Sequence, residues 1–110
     1  MQRQGMNIEP NGHLSFGGAD LPALAAEFKT PLYVFSEDVF RSACRAFNRS
    51  IKQFYGGHGL VLYASKAFAC KAIYKIIAEE GLGAEVVSGG EIYTALQAGF
   101  LPEKLYFHGN

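Results

Sequence analysis

Cysteine is scarce in these 110 residues: Cys44 and Cys70 are the only two, far apart and outside any paired-cysteine motif. That spacing fits two reduced thiols, behaving as small apolar side chains, better than a disulfide scaffold or a thiolate zinc site. An excess of one charge is also missing. Ten basic residues offset ten acidic ones, and no arginine-rich stripe or basic cluster marks a partner in nucleic acid or an anionic membrane. No apolar run approaches the roughly 20 residues of a membrane span. The opening Met1-Gln2-Arg3-Gln4-Gly5 lacks the apolar core of a secretory signal, so the cytoplasm is the expected compartment. What is present is a globular composition, 49% hydrophobic and 14% aromatic, enough for the core of one small domain.

The first third reads as turns and short elements. Asn11-Gly12 is a turn signal, and His13 to Phe16 can form a short strand before a break at Gly17-Gly18. Asp20 is placed to cap a helix over Pro22 to Phe28, with the proline in its first turn. Leu32 to Phe35 has the aromatic and β-branched content of a strand. Ser36 then caps a helix to about Phe54, with Glu37 and Asp38 where the helix dipole favours negative charge. Gly56-Gly57-His58-Gly59 precedes a strand instead of following one, which makes it a linker and not a phosphate loop. His13 and His58 read as loop residues without partners.

From Leu60 the pattern is regular. The unbroken apolar run Leu60 to Ala64 predicts a strand buried on both faces. A helix follows over about Ala69 to Glu80, with Ala69, Ala72, Ile73, Ile76 and Ile77 on one face and Gly81 as its stop. Ala84 to Val87 is a second strand. Ser88-Gly89-Gly90-Glu91 has capping-box spacing and opens a helix ending near Ala98, with Gly99 as its C-terminal stop; packing and capping explain its glycines. Leu105 to Phe107 is a third strand. Strand and helix alternate with short links, which implies parallel pairing through right-handed crossovers. Strand starts about 20 to 24 residues apart suit a (β/α)8 barrel or a doubly wound sheet.

Lys66, Ser88 and His108 each follow a strand directly, so all three fall on the C-terminal edge, where both architectures place their sites. Lys66 is the most suggestive. Only about four free lysine amines in ten thousand are uncharged at neutral pH, and a lysine delivered by an apolar strand into small residues is poorly solvated, which favours the reactive neutral form. The same segment also suits a lysine that snorkels from the strand end or pairs with a carboxylate. Glu85, a carboxylate in an otherwise apolar strand, needs a partner that a lysine or a cationic cofactor would supply, unless it sits on the rim or faces the helices. Nothing in the pattern asks for a metal.

Two segments carry a resemblance: Tyr63-Ala64-Ser65-Lys66-Ala67 and, 19 positions after the lysine, Glu85-Val86-Val87-Ser88-Gly89-Gly90-Glu91. Together with Asn11-Gly12-His13-Leu14, Thr30-Pro31-Leu32-Tyr33-Val34 and Phe107-His108-Gly109-Asn110, they are similar to the N-terminal part of the fold-type III pyridoxal-phosphate-dependent decarboxylases. The resemblance implies the first three or so strands of a (β/α)8 barrel of the alanine racemase-like type over residues 36–110. Residues 1–35 would be an N-terminal strand and helix segment associated with a separate β domain.

It implies that Lys66 is the catalytic residue holding pyridoxal 5'-phosphate, that Glu85 and His108 border the cofactor, and that Ala64, Ser88, Glu91 and Asn110 support them. The family pattern has aspartate where this chain has Glu85. The implied reaction is loss of carbon dioxide from meso-2,6-diaminopimelate to give L-lysine, by a homodimer that binds no nucleic acid or membrane. Ornithine or arginine as substrate, or a non-catalytic cofactor-binding product, are the alternatives. The phosphate loop and the substrate-gripping residues belong to later sequence, so the 110 residues alone are expected to be inactive and poorly soluble.

Overall fold

In the computed structural model, which describes residues 4–109, the chain divides into two units, Met1–Ser42 and Ala43–Asn110. Two tight turns shape the first. Strands β1 (Met6–Ile8), β2 (Leu14–Phe16) and β3 (Ala19–Asp20) form an antiparallel meander with Ile8 opposite Leu14 and Phe16 opposite both Met6 and Ala19. At the Asn11-Gly12 turn the Glu9 amide donates to the His13 carbonyl and the Gly12 amide to the Glu9 carbonyl, each at 2.8 Å. The strand read from His13 is therefore one residue shorter. Gly17-Gly18, read as a break, is instead a hairpin corner: φ of 59° and 83° are the left-handed values that a two-residue turn between twisted strands demands.

Helix α1 (Leu21–Phe28) starts as its capping residue dictates, with Asp20 Oδ1 accepting from the Ala23 amide at 2.8 Å and Pro22 in the first turn. The other oxygen, Oδ2, bonds His13 Nδ1 at 2.7 Å, so His13 has the partner that sequence alone did not supply; the hairpin folds position 13 back toward position 20. The strand expected over Leu32 to Phe35 is absent, those residues lying in no regular element. High β-propensity makes a strand only where a neighbouring ladder accepts it. Ser36 caps α2 (Glu37–Phe54) as expected, its Oγ accepting from the Val39 amide at 3.4 Å.

The second unit is a small α/β arrangement. Strands β4 (Leu62–Ala64), β5 (Gly83–Val86) and β6 (Leu105–Phe107) lie side by side in that order, both pairings parallel, with α3 (Lys71–Glu79) and α4 (Gly89–Gln97) as the connections. Ile73, Tyr74, Ile76 and Ile77 of α3 are buried with Ala84 and Val86 of β5, Ala95 of α4, and Leu82 and Phe100 from the loops. The rings of Tyr74 and Phe100 meet edge to face at 5.7 Å. The three isoleucines occupy the face read from the sequence, but Ala69 and Ala72 are exposed and Tyr74 takes the inner place. The helix begins at Lys71, so Ala69 precedes it and the inward stripe centres one residue later.

Leu60 and Leu62 are 39% and 38% exposed, against the expectation of burial on both faces, because among the described residues β4 has a strand neighbour on one side only. Glycine at position 83 is a packing requirement. A β-carbon there would stand 2.6 Å from Leu62 Cδ2 and 2.8 Å from the Lys104 carbonyl, so only glycine lets the three strands close. Arg45 of α2 grips Glu80 with two parallel bonds of 2.8 and 2.7 Å, and Asn48 Nδ2 donates to the Glu80 carbonyl at 2.8 Å. Cys44 is buried and Cys70 half-buried, and neither is in a disulfide, as read. No helix among the described residues is long and apolar enough to cross a membrane.

Candidate active site

Strand alternation decides which side chains meet at the C-terminal edge. Ala84 and Val86 point into the helix-covered core, so Glu85 between them projects from the opposite face. The register aligns Ala64, Glu85 and Tyr106 in one row across the three strands. The chain then turns, and Ser65–Ala67 forms a single 3₁₀ turn lying against β5. Tyr63 Oη donates to the Phe68 carbonyl at 2.9 Å and closes the turn from behind; no sequence signal announced that staple. Burial pushes the Tyr63 phenol above its usual value, the bond to Phe68 acting in the other direction.

Lys66 sits in the middle of this turn and is exposed, while Ser65 beside it is 1% exposed. The expectation of a poorly solvated lysine is corrected here. The turn sets Lys66 beyond the last apolar residue of β4, on an edge that no described element covers. Its amine makes no hydrogen bond or ion pair among the described residues, so it neither pairs with Glu85 nor caps a carbonyl.

The partner of Glu85 is His108, whose Nδ1 lies 2.8 Å from Glu85 Oε1. The carboxylate is 35% exposed and the imidazole 80%, which replaces the expected buried carboxylate awaiting a lysine. The helix-free face of β5 is open, and the next strand brings an imidazole within reach. The His108 amide donates to the Val86 carbonyl at 2.9 Å, so the ladder continues one residue past β6 and fixes the backbone that carries the ring.

Ser88 and Glu91 shape the corner between β5 and α4. Ser88 Oγ accepts from the Glu91 amide at 3.1 Å, and Glu91 Oε2 accepts from the Val87 amide at 2.7 Å. The capping-box spacing thus yields reciprocal bonds, shifted by one residue on the carboxylate side. The capping half of the reading of Gly89 and Gly90 stands and the packing half does not: a β-carbon at 89 would meet nothing within 4 Å, and one at 90 only Ser88 Oγ at 3.8 Å. Asn110 lies outside the described residues.

Sequence reasoning also missed two hydroxyls beneath the lysine turn. Ser65 Oγ and Tyr74 Oη are both buried without a hydrogen-bond partner. Burial pushes the Tyr74 phenol up; Ser65 lies near enough to pull it the other way without reaching bonding geometry. The visible signal was a tyrosine among isoleucines on the inward stripe. Among the described residues no group of three or more His, Cys, Asp or Glu side chains could hold a metal ion.

The edge therefore offers an unpaired primary amine, a carboxylate–imidazole pair and a helix start whose own polar groups are engaged. Residues 38–110 match the family model described as pyridoxal-dependent decarboxylase, pyridoxal binding domain. Over 94% of its length the chain is 43% identical to a diaminopimelate decarboxylase of Synechocystis, and over 91% it is 47% identical to that of Bacillus subtilis. Among solved structures, diaminopimelate decarboxylase from M. jannaschii in complex with L-lysine is similar with a TM-score of 0.80 and 37% identity over 97% of this chain. The chain spans about a quarter of the length of these relatives, 24%, 23% and 25%. The family match covers most of the chain and includes every element of the C-terminal edge, and this chain belongs to the pyridoxal-dependent decarboxylases.

Proposed function

We propose that this chain is the lysine-bearing part of a carbon–carbon lyase that converts meso-2,6-diaminopimelate to L-lysine and carbon dioxide with pyridoxal 5'-phosphate. One observation carries the reading: the Lys66 amine stands exposed and unpaired at the strand edge, inside the matched domain. An amine meant for an aldehyde must be reachable and free of ion pairs, and the neighbouring edge supplies one carboxylate and one imidazole. The residues present fit the cofactor. Lys66 would hold it covalently, Glu85 and His108 would border it, and Ala64, the half-buried residue in the row of Glu85, would leave space beside it. When bound, the cofactor supplies the electron sink for loss of carbon dioxide.

The chain's own residues have distinct tasks. Lys66 Nζ would be the point at which the cofactor is held. Tyr63 restrains the turn that presents Lys66, and Ser88 with Glu91 holds the β5–α4 corner. The repeated parallel strand–helix unit, with its chemistry at one edge, supports residues 36–110 as the start of a (β/α)8 barrel. Residues 1–35 would belong with a separate β domain. Likeness to relatives named diaminopimelate decarboxylase supports the substrate; that the protein acts as a homodimer in the cytoplasm is part of the same proposal. Asn110 is proposed to border the same site.

Borohydride reduction of the cofactor-loaded full-length protein, followed by peptide mapping, tests the reading. The cofactor should be fixed on the peptide containing Lys66 and lost in Lys66→Ala, and carbon dioxide should be released from meso-diaminopimelate faster than from ornithine or arginine. Label elsewhere would remove Lys66 from its role; faster release from ornithine would overturn the substrate.

A further inference from the structure

We infer that Glu85 is a positioning residue that fixes His108 in a single tautomer, with the proton on Nδ1 and a bare Nε2 offered at the edge where Lys66 stands. The inference rests on the proposed function for what Nε2 meets, and on geometry for the tautomer. A carboxylate only accepts hydrogen bonds, so the 2.8 Å contact between Glu85 Oε1 and His108 Nδ1 requires the proton on Nδ1. In a neutral imidazole that leaves Nε2 as a lone-pair acceptor. The ring is 80% exposed, so Nε2 is open to whatever molecule the edge binds. Its backbone is not free, because the His108 amide is tied to the Val86 carbonyl. The pair spans adjacent parallel strands, from the middle of β5 to the residue after β6.

Glutamate is the residue this contact needs. Shortening the side chain by one methylene withdraws the carboxylate by about 1.5 Å, one carbon–carbon bond, and opens the contact to about 4 Å, outside hydrogen-bond range. The difference between Glu85 and the aspartate of the resemblance is thereby a gain of reach toward His108. No other His, Asp or Glu is hydrogen-bonded to either member of the pair among the described residues. The tautomer consequently rests on Glu85 alone.

Nitrogen-15 NMR of the imidazoles in the full-length protein reads the tautomer directly, without cofactor. In the wild type at a pH where His108 is neutral, the Nδ1 resonance should be that of a protonated ring nitrogen and the Nε2 resonance that of a bare one. Glu85→Gln, whose amide can donate as well as accept, keeps the length but should no longer hold the ring in one tautomer. Glu85→Asp and Glu85→Ala should lose the wild-type pattern, relaxing toward the mixture of free imidazole, in which the Nε2–H form predominates. With cofactor present, these two variants should keep Lys66 labelling and lower kcat more than they change KM.

A wild-type His108 protonated on Nε2 overturns the inference without recourse to any variant, and so does an unchanged tautomer in Glu85→Ala. Either result beside normal borohydride labelling of Lys66 would leave the proposed function standing. Failure of that labelling with the tautomer as expected would do the reverse.

Discussion

The two units solve the same problem by different means. In the first, register is set locally by the turns at Asn11-Gly12 and Gly17-Gly18, and polar contacts hold the ends: Ser15 Oγ donates to Glu9 at 2.5 Å and His13 bonds Asp20. Ser15 is its only fully buried side chain among the described residues, and Ile8 is 80% exposed. In the second unit ten apolar residues, from Cys44 to Phe100, are buried, and the strands they join are some 20 residues apart in sequence. Chemistry-bearing residues sit on the second kind of scaffold. A meander fixed by turns can be specified by a few glycines and caps, whereas holding Lys66, Glu85 and His108 on one edge requires a packed layer behind three strands.

The sharpest way to break this contrast is to truncate one isoleucine in each unit. Ile77→Ala, at a residue with no exposure, should destabilise by about 2 to 5 kcal/mol, and Ile8→Ala by about 0.5 kcal/mol or less. Denaturant unfolding of the full-length protein measures both, and equal costs would mean that the first unit has a core after all. A second test concerns the hydroxyl buried within the packed unit. Tyr74→Phe keeps the ring against Phe100 and removes a polar group that has no partner, so it should stabilise by about 1 kcal/mol. A loss of stability would show that the phenol is satisfied in solution.

The smallest effect belongs to the turn-defined unit. The Ala23 amide, and after it the His13 side chain, hold the Asp20 carboxyl below its usual 3.8. A depressed carboxyl stabilises the fold above its unfolded value and loses that contribution as pH falls through the folded one. Protection of the Ala23 amide against hydrogen exchange should therefore weaken as pH drops below about 3.8, the usual aspartate value. Asp20→Asn, which caps without titrating, should flatten that dependence.

The same contrast explains what the sequence disclosed. Local signals were legible: Asp20, Ser36 and Ser88 cap the helices they were read to cap, and β6 has the bounds its three residues implied. Parallel pairing of the second unit followed from the alternation of periods. Features that depend on a neighbour were hidden. Leu32 to Phe35 looked like a strand because propensity carries no information about whether a ladder is available. β1 and β3 were missed because three- and two-residue strands are held by their partners and not by their own composition. At the edge, Lys66 was found as a lysine delivered by an apolar strand, Glu85 as a carboxylate within one, and His108 by its place after the third strand. The Glu85–His108 pairing joins positions 23 apart and needed the register. The Tyr63 staple likewise depends on the direction of a side chain, which spacing alone does not give.

One feature of β6 bears on the economy of motion at the edge. Because the His108 amide still bonds Val86, the imidazole is carried by backbone whose dihedrals are already restricted, and its presentation draws on no further ordering. A ring borne one residue beyond the ladder would have to surrender about 1 to 2 kcal/mol of backbone freedom each time a ligand froze it. By ending the ladder at the residue that carries the imidazole, the fold settles that entropy during folding, before any ligand arrives.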